Sequence, residues 1–461
     1  MIDPMTARFR ALLAALIVIV VGVAATLYVS YRGTIASAHD ANASLVASSD
    51  DAALLDLALR KMDAVYYKPF DPQLPLNGET KALDTFLKGK HLVATLPHEH
   101  ATGDPAQDSQ ALENVLSYAE KTYGARLGPN AKTDLTEAAL RGVLASVDDP
   151  YTIYLSPKEN EGLQESLDGG NFGGIGVYIY QLKDGTVVVQ PIDGLPAARA
   201  GMKPGDVVDS VNNTTIRGML LDRVEQMIRG EAGSTVQLSV HPYKGTGERH
   251  YTITREIIHV PTVHAKMEDG YDYIRLSDFG STSASEIKKA LLQGKAKNAK
   301  GYILDLRNNG GGFLDAAVNI SSFFIPEGTI VSTIDRQGNK DVQEARGTAI
   351  GGLQPLVVLV NKYTASASEI TAGALQDYHL AKIVGTKTFG KGVVQTIFNS
   401  PDGGAFKITT ARYVTPLGRD IQHKGITPDV VVDQNVDPAL IDTPADKQLA
   451  AAKAQLKDLL R

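Results

Sequence analysis

Apolar positions recur with different spacings along the chain, and the changes of spacing divide it into regions. Ala11–Val29 is an apolar run of 19 residues without a charged side chain. In Asp51–Tyr67 and Thr133–Ser146 the apolar residues fall at helical intervals, which predicts two amphipathic helices. Between them, residues 73–130 show no clear pattern apart from one predicted helix over Ser109–Tyr123.

From Gly169 onwards the pattern is one of short strands. "GGNFGGIGVYIY" predicts a glycine-rich loop that leads into a strand, and "TVVVQPI" predicts a second strand. "LPAARAGMKPGDVVDSVNN" predicts a short helix, a turn and a strand, and "LDRVEQMIRG" predicts a helix. Together with the strand pair "STVQLSVHPY" and "YTITRE", residues 168–257 make up a small β-rich module.

The next region carries longer apolar runs separated by predicted helices. Its predicted strands are "YDYIRLSDF", "KGYILDLRN", "PLVVLVN", "KIVGT", "GVVQTIFN" and "AFKITTARYVT". One helix is predicted over Ser283–Lys297, and another begins near Ser366. Strands that alternate with helices are typical of an α/β sheet with crossover connections.

The N-terminal apolar run is long enough to cross a membrane as a helix. At about 1.5 Å per residue it spans roughly 28 Å, against about 30 Å for a bilayer core. Arg8 and Arg10 precede it, which predicts that the N-terminus stays inside and the rest is exported, to the periplasm in a bacterium. Ala36-Ser37-Ala38 has the small residues of a cleavage site, so a cleaved signal is an alternative to an anchor. A buried core helix is a third alternative.

The predicted fold class is therefore a multidomain α/β protein with an N-terminal membrane anchor. The predicted regions are an anchor or signal segment over 1–35, a helical region over 36–167 with an insertion at about 73–130, the β-rich module over 168–257, the α/β core over 258–433 and a helical tail over 434–461.

Composition narrows the classes of function. The formal net charge is −6 and there is no basic stripe, so nucleic acid is not an expected partner. The chain has no cysteine, which excludes disulfides, thiolate metal sites and a cysteine nucleophile. His98 and His100 flank Glu99, but the sequence offers no third ligand nearby, so no metal or other cofactor is expected.

Three loops that follow predicted strands of the core carry candidate chemistry, because α/β sheets bear their sites at strand ends. "LDLRNNGGG" ends one strand with three glycines, whose backbone N–H groups can turn towards a developing oxyanion. "TASASEI" follows the next buried strand and contains Ser366 and Ser368. "TKTFGKGVVQ" follows another strand and places Lys391 between two glycines.

A serine hydroxyl is a weak nucleophile and needs a base. His379 and His423 are the histidines near the apolar strands, and neither lies in a glycine-framed loop. A lysine can act instead if a dry pocket lowers its pKa from about 10.4 to roughly 7–8. The residues alone therefore leave open both a Ser–Lys pair and a Ser–His–Asp hydrolase.

Three motifs in order carry a resemblance to a known family. "LRNNGGG", "ASASE" and "FGKGVVQ" follow one another at a spacing that resembles the carboxy-terminal processing, or tail-specific, serine peptidases. The resemblance extends over about 133–433 and the helix at 51–67. It implies an exported Ser–Lys endopeptidase with an embedded PDZ domain, which acts through an acyl-enzyme. Residues 73–130 depart from the family's pattern, which leaves the oligomeric state open.

The resemblance implies a role for each residue of the catalytic motifs. Ser366 would be the nucleophile, Lys391 the general base, and Gln395 the residue that orients the lysine without charging it. The oxyanion hole would be formed by backbone N–H groups, those of Ala367 and of Gly311 or Gly312. Ser368 is expected to support the turn, and Glu369 is expected to satisfy the first turn of the helix.

The module at 168–257 resembles a PDZ domain, which binds an extended peptide as an added strand and holds its carboxylate in a nest of backbone N–H groups. The nest would be formed by Gly173, Gly174, Ile175 and Gly176. Ile175, Val177 and Ile228 would line the pocket for the last side chain. Arg229 is a candidate for coupling this module to the active site.

The function predicted from these features is an exported serine endopeptidase that cleaves proteins with apolar C-termini. The resemblance is compatible with an activating partner protein, with membrane attachment through the N-terminal segment and with a homo-oligomer. One alternative is a catalytically silent scaffold that binds C-terminal tails through its PDZ domain. The other is the Ser–His–Asp hydrolase, which would depend on His379 or His423 and would tolerate loss of Lys391.

Overall fold

A computed structural model describes residues 51–167, 172–182, 184–219, 221–243, 245, 247–259, 261–350, 355–433 and 441–461. The predicted membrane segment, Ala11–Val29, lies outside these residues. Within them, no helix combines the length and the apolar character that a membrane span requires. The described chain folds into two compact units, one made of residues 51–64, 70–157 and 397–407 and the other of residues 65–69, 158–396 and 408–461.

The first unit is built mainly from helices. They are Asp51–Val65, Gln73–Gly89, Pro105–Leu127, Ala131–Leu144 and the short 3-10 helix Ala145–Val147. A short strand, Ile153–Leu155, pairs antiparallel with residues 405–407. The region 73–130, which the sequence leaves almost without pattern, thus contains two of the helices. The first of these carries Pro75 and Gly78, residue types that weaken a helical pattern.

Two helices of this unit cross at a pair of glycines. A Cβ atom on Gly78 would lie 2.3 Å from the carbonyl oxygen of Gly142, and one on Gly142 would lie 2.4 Å from that of Gly78. The two backbones therefore touch, and no larger residue fits at either position. Glu79, next to the crossing, is completely buried, and neither of its carboxyl oxygens has a hydrogen-bond partner among the described residues. This burial raises the pKa of Glu79 well above its usual value.

The β-rich module of the second unit contains a twisted antiparallel sheet. Its main strands lie in the order Val177–Gln181, Val187–Pro191, Asp206–Val211, Thr235–Pro242 and Arg249–Thr254, and Thr214–Thr215 pairs with the third of them. The strand Val177–Gln181 forms one edge of this sheet, and the helix Leu221–Ile228 contacts it. Phe172–Gly174 pairs with Glu256–Ile258 in a separate two-stranded sheet.

The α/β core of the second unit is a six-stranded sheet. Its strands lie in the order Val263–Glu268, Tyr271–Leu276, Tyr302–Asp305, Leu356–Val360, Ala381–Gly385 and Val430–Val431. The first pair is antiparallel and every other pair is parallel, which confirms the predicted α/β sheet with crossovers. Parallel order brings the carboxyl ends of the central strands to one edge of the sheet.

Helices cover both faces of this sheet. Ser283–Ala296, Leu314–Ser321 and Ala367–Asp377 contribute to the apolar core on one face. The C-terminal helix, Lys447–Leu459, contributes Leu449, Ala452 and Leu456 to the core on the other face. A helix over Pro157–Leu167 and a hairpin of Thr329–Ile334 and Lys340–Glu344 complete the unit. Two strands, Val393–Asn399 and Ala405–Val414, pass from one unit into the other.

The buried carboxyl of Glu79 predicts a stability that declines as the pH rises. Unfolded glutamate ionises near pH 4.3, whereas the folded protein retains the proton to higher pH, so unfolding releases a proton at pH values between the two pKa values. We expect Glu79→Gln to raise the melting temperature by several degrees at pH 8 and to change it little at pH 4. Glu113→Gln, at an exposed position, is the control. Equal melting temperatures for Glu79→Gln and wild type at pH 8 would contradict this expectation.

Candidate active site

The central strand Leu356–Val360 leads into the turn that carries Ser366. All five residues of the strand are buried, and the turn is held by the hydroxyl of Thr364, which donates to the carbonyl of Leu306 at 2.8 Å. Ser366 has φ 56° and ψ −119°, a conformation that side-chain-bearing residues rarely adopt. It directly precedes the helix Ala367–Asp377, whose first N–H group, that of Ala367, makes no hydrogen bond among the described residues.

The glycine loop, residues 306–312, lies against this turn. A Cβ atom on Gly311 would come within 2.8 Å of Cβ of Ser366 and 3.0 Å of the nitrogen of Ala367. The N–H of Gly311 donates to Oδ1 of Asn309 at 2.9 Å, whereas the N–H of Gly312 takes part in no hydrogen bond among the described residues. Of the two glycines predicted as oxyanion donors, Gly312 therefore has the free N–H group.

Hydrogen bonds to the carbonyl of Asn309 connect the glycine loop to the start of the helix Ala367–Asp377. The hydroxyl of Ser368 donates to the carbonyl of Asn309 at 3.1 Å, and the N–H of Ala365 donates to the same oxygen at 3.0 Å. The side chain of Ser368 is fully buried by this contact. The two serines of the motif thus have different surroundings, since Ser366 is half-buried and Ser368 is enclosed.

The carboxylate of Glu369 joins the Ser366 turn to the loop that carries Lys391. One oxygen accepts from the N–H of Ser366 at 3.0 Å and from the N–H of Lys391 at 2.9 Å. The other accepts from the hydroxyl of Thr388 at 2.5 Å and from the N–H of Gly390 at 2.8 Å. The side chain is completely buried, and this burial raises its pKa, while the four hydrogen bonds act in the opposite direction.

The glycines on either side of Lys391 pack closely against a second loop, residues 422–425, which leaves no room for a Cβ atom. A Cβ atom on Gly390 would lie 2.9 Å from the nitrogen of Gly425, and one on Gly392 would lie 2.6 Å from that of Gln422. The hydroxyl of Tyr413 adds a further link, because it donates to the carbonyl of Lys391 at 2.6 Å and lies 3.2 Å from that of Ser366. Sequence reasoning gave no role to Thr388, although it lies within "TKTFGKGVVQ", or to Tyr413, which lies in a predicted strand.

The remaining candidate residues, Gln395, His379 and His423, lie in three different elements. Gln395 lies on the strand that follows Lys391, and its amide donates to the hydroxyl of Thr409 at 3.4 Å. His379 lies just beyond the far end of the helix that Ser366 begins, about 16 Å along the helix axis. The backbone N–H of His423 donates to the carbonyl of Gly390 at 2.8 Å, but its ring is exposed and contacts Gln422.

In the β-rich module, the residues predicted to bind a peptide are glycines near the edge strand and apolar residues at or beside the core. Gly173 packs against the end of the helix Leu221–Ile228, and the N–H of Gly230 donates to its carbonyl at 3.0 Å. Gly173 and Gly174 are strand residues, whereas Gly176 has φ 71° and directly precedes the edge strand. Ile175 and Ile228 belong to the apolar core of the module, and Val177 is partly buried against that core. Arg229 forms an ion pair with Glu225, one helical turn earlier.

No metal site emerges from the described part of the chain. It contains no group of three or more histidine, aspartate or glutamate side chains that could hold an ion together. His98 and His100 lie in the segment between two helices of the first unit.

The chain is similar to known proteases over most of its length. Residues 270–432 match the family model described as peptidase family S41, and residues 187–241 match that of a PDZ domain. A carboxyl-terminal-processing protease of Synechocystis sp. is 39% identical over 331 residues, which cover 70% of this chain and 77% of the relative. A carboxy-terminal-processing protease of Bartonella bacilliformis is 39% identical over 305 residues, which cover 65% and 70% of the two chains.

Among solved structures, the chain is similar to the photosystem II D1 C-terminal processing protease. The identity is 30% and the TM-score is 0.47, and the match covers 87% of this chain and all of the other.

The four hydrogen bonds of Glu369 predict that an amide cannot replace its carboxylate. In Glu369→Gln one oxygen becomes an NH₂ group that faces two donors, so the two loops separate. We expect kcat towards a fluorogenic peptide to fall by about 10²-fold, because small displacements of reacting groups cost that much. Thr388→Ser, which keeps the hydroxyl, should remain close to wild type. Wild-type kcat in a folded Glu369→Gln variant would show that this carboxylate does not set the geometry.

Proposed function

The chain belongs to the carboxyl-terminal-processing proteases of peptidase family S41, and we propose that it cleaves proteins with Ser366 as nucleophile and Lys391 as general base. The observation that carries the proposal is the single buried carboxylate that binds the N–H groups of both residues. It keeps the two loops side by side. Such positioning is the main requirement for a nucleophile and its base.

The proposed reaction proceeds in two halves. The neutral amine of Lys391 accepts the proton of Ser366 as the serine oxygen attacks the peptide carbonyl carbon. The N–H groups of Ala367 and Gly312 stabilise the negative charge that develops on the carbonyl oxygen. The lysine then donates its proton to the leaving amine. The amine departs, and the acyl-enzyme remains. Water, deprotonated by the same lysine, hydrolyses the ester and releases the new C-terminus.

The amide of Gln395 is proposed to orient the lysine. An amide can accept a hydrogen bond from the amine but carries no charge that would stabilise the protonated form. The strand position of Gln395, directly after the Lys391 loop, supports this role.

The PDZ domain is proposed to bind the apolar C-terminal tail of the substrate. Among the described residues no strand pairs with the outer side of its edge strand Val177–Gln181, which suits an added peptide strand. The turn at Gly176 leads into that strand, and the helix Leu221–Ile228 contacts it. These features support a carboxylate nest at residues 173–176 and a side-chain pocket that includes Val177. Arg229, at the end of the helix, is proposed to couple tail binding to the active site.

The cellular setting is proposed from the sequence. The apolar run Ala11–Val29 and the arginines before it support export, with the protease on the periplasmic side of a bacterial inner membrane. The regions 36–167, 168–257, 258–433 and 434–461 are proposed as its structural divisions after the N-terminal segment.

Replacement of the two proposed catalytic residues tests the mechanism. We expect Ser366→Ala and Lys391→Ala each to lower kcat by at least about 10³-fold, because the two residues act as one unit. The substrate is an unfolded protein with an apolar C-terminal tail, and the same protein with a charged tail should be cleaved more slowly. His379→Asn and His423→Asn, which suit the positive φ of these positions, should remain active.

The pattern of losses separates the alternatives. Activity that survives in Lys391→Ala and disappears in one histidine variant would replace the Ser–Lys pair by a Ser–His–Asp hydrolase. Tail binding without cleavage by the wild type would support the silent scaffold.

A substitution at Gly173 tests the role of the PDZ domain separately. A Cβ atom there would lie 1.9 Å from the carbonyl oxygen of Gly230, so Gly173→Ala must displace the strand from the helix end. We expect this variant to cleave apolar-tailed and charged-tailed substrates at similar rates, with kcat towards a short tail-less peptide within about twofold of wild type. Retained preference for the apolar tail would argue against this binding site.

A further inference from the structure

A cluster of buried charges lies at the beginning of the glycine loop, within the motif "LDLRNNGGG" but before its glycines. Arg307 lies two residues after the end of the strand Tyr302–Asp305, and its side chain is 1% exposed. Its guanidinium donates to Asp305 at 2.6 Å and forms two parallel bonds of 2.8 Å with the two oxygens of Asp446. Paired bonds of this kind fix orientation as well as distance.

Asp446 belongs to the C-terminal helix. It caps the helix Lys447–Leu459, because its Oδ1 accepts from the N–H of Leu449 at 3.0 Å. Its Oδ2 accepts from the N–H of Asp442, also at 3.0 Å. Burial disfavours the charged form of Asp446, but the hydrogen bonds from Arg307 and the backbone outweigh it and lower the pKa of this carboxyl. The helix therefore presents a fixed carboxylate to the loop.

The loop carries this constraint to the candidate catalytic residues. After Arg307, the N–H of Asn308 donates to Oδ1 of Asn361 at 3.1 Å, and Oδ1 of Asn309 holds the N–H of Gly311. Gly311 in turn lies against Ser366 and Ala367. Three residues therefore separate Arg307 from Gly311, the glycine that lies against Ser366, and side chains hold the backbone between them.

Buried ion pairs seldom add stability over apolar groups of similar volume, because removing charges from water is costly. What this pair adds is a defined geometry at the beginning of the loop. We infer that Asp446 and Arg307 are positioning residues, through which the C-terminal helix holds the glycine loop so that the N–H of Gly312 meets the oxyanion. This inference rests on the proposed function, because it concerns the placement of the proposed oxyanion donor.

Asp446→Asn is the informative variant. Asparagine still caps the helix, and Arg307 keeps its pairing with Asp305, so no charge is left buried without a partner. Its NH₂ group, however, faces the guanidinium and breaks one of the two parallel bonds. We expect kcat of the full chain to fall by about tenfold, part of what loss of an oxyanion donor costs. KM should change less than about twofold.

A peptide boronate distinguishes positioning from general damage. Its tetrahedral adduct with the serine places an oxygen in the oxyanion hole, so its affinity should fall by the same factor as kcat. Gln448→Met loses the 3.2 Å contact with Arg307 and the 2.9 Å bond to the carbonyl of Val432, but leaves Asp446 in place, so it should give a smaller change of the same kind. Melting temperatures and circular dichroism of each variant verify that it is folded.

Lys453→Gln is the matched control on the same helix. Lys453 pairs with Glu268 at 2.7 Å and with Asp269 at 3.2 Å, and neither partner belongs to the glycine loop. It should lower the melting temperature without changing kcat or boronate affinity.

Three results would overturn the inference. They are wild-type kcat and boronate affinity in Asp446→Asn, an equal loss of kcat in Lys453→Gln, and a rise of KM with unchanged kcat. Ser366→Ala, measured in the same assays, distinguishes failure of this inference from failure of the proposed protease function. If that variant still turns over substrate and binds the boronate, the proposed function itself fails, whatever Asp446→Asn does.

Discussion

The buried carboxylate of Glu369 is the interaction on which the arrangement of the candidate active site depends. Each of its oxygens accepts two hydrogen bonds, and the donors come from two loops that are more than twenty residues apart in the chain. In water these donors would be solvated separately, and in the interior each needs a partner. A single acceptor that satisfies all four can do so only while the loops stay together, so the requirement for hydrogen bonding becomes a requirement on geometry.

The glycines of two of the motifs, "LRNNGGG" and "FGKGVVQ", allow this close packing. Gly311, Gly390 and Gly392 each touch the backbone or side chain of another loop at a distance that excludes a Cβ atom. Gly311 also has φ 107°, which a larger residue would adopt only with strain. Gly312, whose N–H makes no hydrogen bond among the described residues, is packed as closely, because a Cβ atom on it would lie 2.5 Å from the carbonyl oxygen of Phe279.

Local pattern predicted the elements of the fold well and their contacts poorly. The buried strand before Ser366 and the helix after it follow from an apolar run and a turn of small residues, and the parallel sheet follows from their alternation. The helix Gln73–Gly89 was missed because Pro75 and Gly78 interrupt its pattern. Contacts such as Arg307 with Asp446, 139 residues apart, have no local signature. Local sequence also cannot tell whether Ile175 lines a pocket or lies in a core, because an apolar residue after a glycine suits both. In the structure it belongs to the core of the module.

The hydrogen bonds of Glu369 also matter for a lysine that acts as a base in the neighbouring loop. A lysine base must be neutral, and a carboxylate that paired with its amine would stabilise the charged form instead. Glu369 contacts the lysine loop through backbone N–H groups, and its two oxygens already accept four hydrogen bonds, the number of lone-pair sites that a carboxylate has. Three of its four donors are backbone N–H groups and the fourth is the hydroxyl of Thr388, so Glu369 holds the lysine loop in place through its main chain and Thr388 rather than through the lysine amine.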